Sequence, residues 1–88
     1  MKIKTGFVLR TVAKENVVMA IGQASRLLNG IIKLNESGAM LWNVLKDGAE
    51  KSDLVAALQS TYEISAELAE KDVDAFLATL NSVGCIEA

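Results

Sequence analysis

The sequence contains no histidine and no proline, a single cysteine, Cys85, and only four aromatic residues, Phe7, Trp42, Tyr62 and Phe76. Without histidine the chain has neither the commonest general base nor the commonest metal ligand at neutral pH, so no metal site is expected. A lone cysteine closes no internal disulfide, which fits a reducing compartment, and its expected role is packing near the C-terminus. No apolar run approaches the ~20 residues that span a bilayer, and Met1 to Gly6 lacks the long apolar segment of a secretory signal. A cytoplasmic protein is therefore expected. The formal net charge is −2, without the positive surplus that drives binding to phosphate backbones, so nucleic acid is not an expected partner. The chain has no Cys-x-x-Cys, no Gly-x-Gly-x-x-Gly and no P-loop, and neither intrinsic catalysis nor a bound cofactor is expected.

What the chain does have is apolar residue: 51% of its 88 residues are hydrophobic, enough for one ordered domain with a core of mainly Leu, Val, Ile and Ala. The absence of proline and of low-complexity segments leaves no sign of a linker. From Phe7 to Leu34, β-branched and apolar residues come in short blocks, and after Leu34 they recur at three and four positions. Strands first and helices afterwards define an α+β domain whose helices pack on one side of a small sheet.

The first strand is expected over Phe7 to Ala13, with Phe7, Leu9, Thr11 and Ala13 on one face and Val8, Arg10 and Val12 on the other. Lys14-Glu15 reads as a tight turn and Asn16 to Ile21 as a second strand paired back, with Val17, Met19 and Ile21 sharing a face. Leu27 and Leu28 are apolar enough to tuck inward from a loop, and Asn29-Gly30 is a turn dipeptide leading to a third strand, Ile31 to Leu34. Asn35 suits an N-cap, Glu36 complements the helix dipole, and the first helix runs to about Lys46 with Met40, Leu41, Val44 and Leu45 as its stripe and Trp42 toward its edge. Asp47-Gly48 ends it. A second helix spans roughly Lys51 to Tyr62, with Leu54, Val55, Leu58 and Tyr62 on one face. The third starts after Ser65, a suitable N-cap, and presents Leu68, Ala69, Val73, Phe76, Leu77, Leu80 and Val83 at helical spacing. Gly84 suits a left-handed C′ position that brings Cys85 to Leu80, and Cys85-Ile86-Glu87 reads as a short extension.

The run Leu34-Asn35-Glu36-Ser37-Gly38-Ala39, with Leu41, Trp42 and Leu45 behind it, turns strand into helix within two positions. Together with Phe7-Val8-Leu9-Arg10, Asn29-Gly30-Ile31-Ile32-Lys33-Leu34, and Asp72-Val73-Asp74-Ala75-Phe76-Leu77 through Leu80 to Gly84-Cys85-Ile86, it resembles the family of pyrroloquinoline quinone biosynthesis protein D, PqqD. The resemblance spans nearly the whole chain. It implies a winged-helix-like fold of three antiparallel strands followed by three helices. It also implies a noncatalytic adaptor that captures the leader of a ribosomally made precursor peptide and presents it to a modifying enzyme, often a radical S-adenosylmethionine protein.

Peptide capture has a physical basis in the residues themselves, because an open sheet edge accepts an extended peptide as a new strand. The backbone of Ile31, Ile32, Lys33 and Leu34 is the candidate template. By resemblance, the third helix closes the groove with residues from Lys71 to Thr79, among them Lys71, Asp72, Ala75, Phe76 and Thr79. A plainer reading stands beside this one: Ile31, Ile32, Val73, Phe76 and Leu77 pack the core, Lys33 guards an edge against aggregation, and Glu67, Glu70, Lys71, Asp72 and Asp74 keep the helix soluble, with a Glu67–Lys71 pair one turn apart. The same acidity argues against a DNA-reading last helix. Ser52-Asp53 reverses the order of a carrier-protein motif, and a two-sided apolar hairpin leaves a self-associating structural domain, or a homodimer, as the alternative.

Overall fold

The computed structural model describes residues 1–22 and 32–87. The strands are β1 (Lys2–Ile3), β2 (Phe7–Val12), β3 (Glu15–Ala20) and β4 (Ile32–Leu34), followed by helices α1 (Glu36–Leu45), α2 (Lys51–Tyr62) and α3 (Ala66–Ser82) and a closing strand β5 (Ile86–Glu87). The expected α+β order is found, with a three-stranded antiparallel sheet ordered β2-β3-β4. The expected Asn29-Gly30 turn, the inward Leu27 and Leu28, and Ile31 lie outside the described residues.

The hairpin turns one residue earlier than the sequence suggests. Its two-residue loop is Ala13-Lys14, with φ of 51° and 69°, and Val12 faces Glu15. These are the paired positive φ angles of a type I′ turn, whose twist matches that of the flanking strands. The face pattern survives the shift, because Phe7, Leu9, Val18, Ile32 and Leu34 pack toward the helices while Val8, Arg10, Met19 and Lys33 stand on the opposite face. Val17 is buried on that outer face, between Arg10 and Lys33 in register and apart from the main core.

One hydrogen bond outside the strands fixes which backbone groups look where. Ile21 N–H donates to the Gly6 carbonyl at 2.7 Å, extending the β2–β3 ladder by one pair. Antiparallel pairs alternate between bonded and non-bonded positions. Counting along the register, Val8, Arg10 and Val12 bond to β3, so the backbone groups of Phe7, Leu9 and Thr11 face away from it. On β3, Asn16 and Val18 then serve β4, which assigns Ile32 and Leu34 to the ladder and leaves the Lys33 N–H and C=O on an edge that no other strand among the described residues pairs with.

The helices cap as their sequences dictate. Asn35 Oδ1 accepts Gly38 N–H at 2.8 Å, and Ser65 Oγ accepts Leu68 N–H at 3.2 Å. The start of α2 is better signalled than its sequence suggests, since the Asp53 carboxylate accepts Glu50 N–H at 2.8 Å, one arm of a capping box. At the end of α3, Gly84 has φ 72°, Cys85 N–H reaches the Leu80 carbonyl at 3.1 Å and Gly84 N–H reaches Asn81 at 3.1 Å, which together make a Schellman ending.

Leu41, Trp42 and Leu45 of α1, Leu54 and Leu58 of α2, and Ala69, Val73, Phe76 and Leu80 of α3 meet Phe7 and Val18 in one core. Trp42 belongs to its centre, at 3% exposure, rather than to the edge of the α1 stripe. Tyr62 and Leu68, which share the apolar spacing of their helices, are nonetheless 41% and 45% exposed. They flank the tight α2–α3 connection, where Glu63 adopts φ 47° and helical periodicity runs past the packed part of each helix. The sequence also gave no sign that β1 and β5 pair: Lys2 faces Glu87 and Ile3 faces Ile86, and Lys4 N–H donates to the Cys85 carbonyl at 2.7 Å.

Candidate functional site

Beside the free edge of β4 lies an open groove of about 470 Å³ between β4, the first turns of α1 and the middle of α3. Four α3 residues, Asp72, Ala75, Phe76 and Thr79, line it. Their spacing of three, four and seven places them on one face of the helix. Opposite them stand Lys33 and Leu34, and the floor is Gly38 and Leu41 with Asn35 and Ser37 at the rim. The strand-to-helix joint makes this floor. Asn35 caps α1 directly after β4 ends, so strand edge and helix start share one corner. Gly38 allows the close approach, because a Cβ there would sit 3.1 Å from Asn35 Oδ1 and 3.3 Å from Leu34 Cβ.

Of the residues singled out in the sequence, Lys33, Leu34, Asp72, Ala75, Phe76 and Thr79 come together at this groove. Ile32 is half-buried against the core, Lys71 is exposed and off the lining, and Ile31 falls outside the described residues. Sequence reasoning missed the contribution of α1. The signal available was Gly38 itself, a glycine in the first turn of a helix that has a side-chain cap and needs no backbone freedom.

Charge in the groove is sparse and unbalanced. The Lys33 ammonium is drawn to Glu15 at 3.2 Å, on the outer face of the sheet, while Asp72 makes no ion pair among the described residues. Thr79 Oγ1 donates to the Ala75 carbonyl at 3.0 Å, leaving its oxygen as an acceptor toward the groove. The expected Glu67–Lys71 pair does not form. Instead Lys51 at the start of α2 holds Asp74 at 2.7 Å and Glu70 at 4.0 Å, and the Asp74 hydrogen bond pushes the Lys51 pKa up. Two of the four carboxylates on α3 thus hold two helices together, which favours the plainer reading for them.

No group of His, Cys, Asp or Glu side chains among the described residues could hold a metal ion, and no helix among them is long and apolar enough to cross a membrane. Cys85 is fully buried, and burial pushes its thiol pKa up to about 11, only partly offset by Lys4. A thiol in that state is a packing group and a poor nucleophile at neutral pH.

Fold and groove together define a small α+β domain that offers an open strand edge beside one helix face. The family model described as Coenzyme PQQ synthesis protein D (PqqD) matches residues 15–86, and the chain belongs to that family. Two solved structures share the fold. One, described as TbiB1 in complex with the TbiA(beta) leader peptide, superposes with a TM-score of 0.79 at 24% identity, covering 100% of this chain and 96% of that one. The other, a lasso peptide synthetase B1 complexed with the leader peptide, gives 0.76 at 22% identity, with 99% and 96% covered. A search of curated proteins finds no significant match.

Proposed function

We propose that the protein is a noncatalytic adaptor that binds the leader of a ribosomally made precursor peptide and presents it to a modifying enzyme. The observation that carries this reading is the pairing of a free strand edge, the outward Lys33 backbone, with a groove walled by one face of α3. Strand addition supplies sequence-independent affinity through main-chain hydrogen bonds, and the groove supplies selection. Leu34, Leu41, Ala75 and Phe76 suit an apolar anchor side chain, and Asp72, which has no ion pair among the described residues, suits a Lys or Arg beside it. Family membership and the two leader-bound structures of the same fold support the reading. The modifying enzyme is a radical S-adenosylmethionine protein, as the family resemblance implies, and the setting is the cytoplasm, which suits the unpaired Cys85 thiol. Affinity capture of the tagged protein from its host, with mass spectrometry of co-purifying proteins and short peptides, tests it. A precursor peptide in the eluate is the expected result. Recovery of the protein alone, from cells shown to express precursor peptides, overturns the adaptor reading in favour of self-association.

A further inference from the structure

The sheet has a second edge that no strand among the described residues pairs with. In the order β2-β3-β4, strand β2 lies opposite β4, and its outward backbone groups belong to Phe7, Leu9 and Thr11. A cleft of about 380 Å³ runs along this edge, between β2 and the second half of α1. Val8, Leu9 and Trp42 give it apolar walls, and residues from both faces of β2 contribute, as a cleft that follows an edge requires.

Its charge is of one sign. Among the described residues Lys4, Arg10 and Lys46 line it and no carboxylate does, although the chain as a whole is acidic. None of the three makes an ion pair among the described residues, whereas Lys2, Lys33 and Lys51 all do. Among the described residues, three cations without an ion pair around a strand edge without a partner strand are unlike the β4 groove, where the charge without an ion pair is Asp72.

We infer that the β2 edge is a second docking site, which takes an extended, carboxylate-bearing protein segment as an added strand. The backbone of Phe7, Leu9 and Thr11 supplies the hydrogen bonds, and Lys4, Arg10 and Lys46 select acidic side chains. A second copy of this chain is disfavoured, because pairing β2 with β2 brings two such cation clusters together. A nucleic acid is disfavoured by the net negative charge of the chain. With β3 between them, the two edges stand roughly 10 Å apart, so both can be filled at once, extending the sheet on either side. The inference goes beyond the leader-peptide reading and stands without it.

Amide chemical-shift mapping on the isotope-labelled full chain tests it, with a short capped peptide alternating Val and Glu as probe. The expected result is shifts at Phe7, Leu9 and Thr11 with Lys33 and the α3 amides unmoved. Arg10→Glu and Lys46→Glu, both at exposed positions, should each weaken that binding by about tenfold while leaving the rest of the amide spectrum in place. Four results overturn the inference: no shifts on β2, equal shifts from the alternating Val and Lys peptide, equal shifts from a short oligothymidylate, or β2 shifts that follow protein concentration alone and report a dimer. Because the readout is confined to β2, failure here is distinct from failure of peptide capture at β4.

Discussion

At the scale of single residues, Gly38 joins fold and groove. Replacing glycine by alanine inside a helix ordinarily stabilises it by up to ~1 kcal/mol. Here the new methyl meets Leu34 Cβ at 3.3 Å and Asn35 Oδ1 at 3.1 Å. Neither gives way freely, since Cβ moves only with its backbone and Oδ1 is held by Gly38 N–H and by the Ser37 hydroxyl at 3.0 Å. Gly38→Ala is therefore expected to lose stability, on the order of 1 kcal/mol, the typical worth of an N-cap, and urea denaturation checks the sign. A gain in stability would show that the joint is looser than its contacts indicate. The Asn35 cap was legible in sequence because it is local. The demand on Gly38 was not, because it depends on where the preceding strand places Leu34. Cys85 gives a pH prediction at the same scale. Its folded pKa of about 11 lies above the unfolded value near 9, so the native state holds the proton more tightly. The corresponding stability is fully present below pH ~9 and is lost as pH rises toward ~11, on the order of 2 kcal/mol. Cys85→Ser removes the ionisation, and its denaturation midpoint should fall less steeply over that window than that of the native chain.

At the scale of elements, the hairpin shows how a sequence can give the faces of a strand correctly and its turn incorrectly. Alternation assigned Phe7 and Leu9 to one face and Val8 and Arg10 to the other, and burial of Phe7 in the core with Leu9 packed against it fixes that assignment. Nothing in Ala13-Lys14 favours positive φ, so the turn appeared one residue late. The core sets the register, and the turn residues accept left-handed angles that neither prefers. Replacing Ala13-Lys14 by Asn-Gly, the pair suited to a type I′ turn, should stabilise the chain by about 1–2 kcal/mol and raise Tm. An unchanged Tm would mean that the strain is relieved elsewhere in the loop. The three helices were legible almost to the residue, α1 and α3 because their caps and their 3.6-residue stripes agree and α2 from its stripe alone. Tyr62 and Leu68 failed because periodicity records which way a side chain points and not whether another element covers it.

At the scale of the molecule, most of the sheet-plus-helices order was legible, and the pairing of the two ends was not. The strands β1 and β5 have two residues each and are held by contacts between opposite ends of the chain, including Lys2–Glu87 at 3.2 Å, which no local pattern reports. The candidate groove was legible in part for the same reason. The spacing of Asp72, Ala75, Phe76 and Thr79 follows from helical periodicity, but which backbone groups of β4 lie free depends on the register across three strands. That register separates two neighbouring residues by role. Ile32 bonds to β3 and packs on the core, whereas Lys33 turns its N–H and C=O to the open edge. Proline at the two positions should therefore act oppositely. Ile32→Pro removes a ladder bond and a packed side chain, and is expected to destabilise the fold by about 3 kcal/mol or more. Lys33→Pro removes an outward donor that has no acceptor among the described residues, and should leave the folded spectrum nearly intact while weakening the captured precursor peptide by tenfold or more, since the added strand loses a main-chain bond and its register. Calorimetric titration beside circular dichroism separates the two effects. A folded Lys33→Pro chain that binds the peptide as tightly as the native one would remove the β4 edge from the binding site and leave only the α3 face of the groove to account for it.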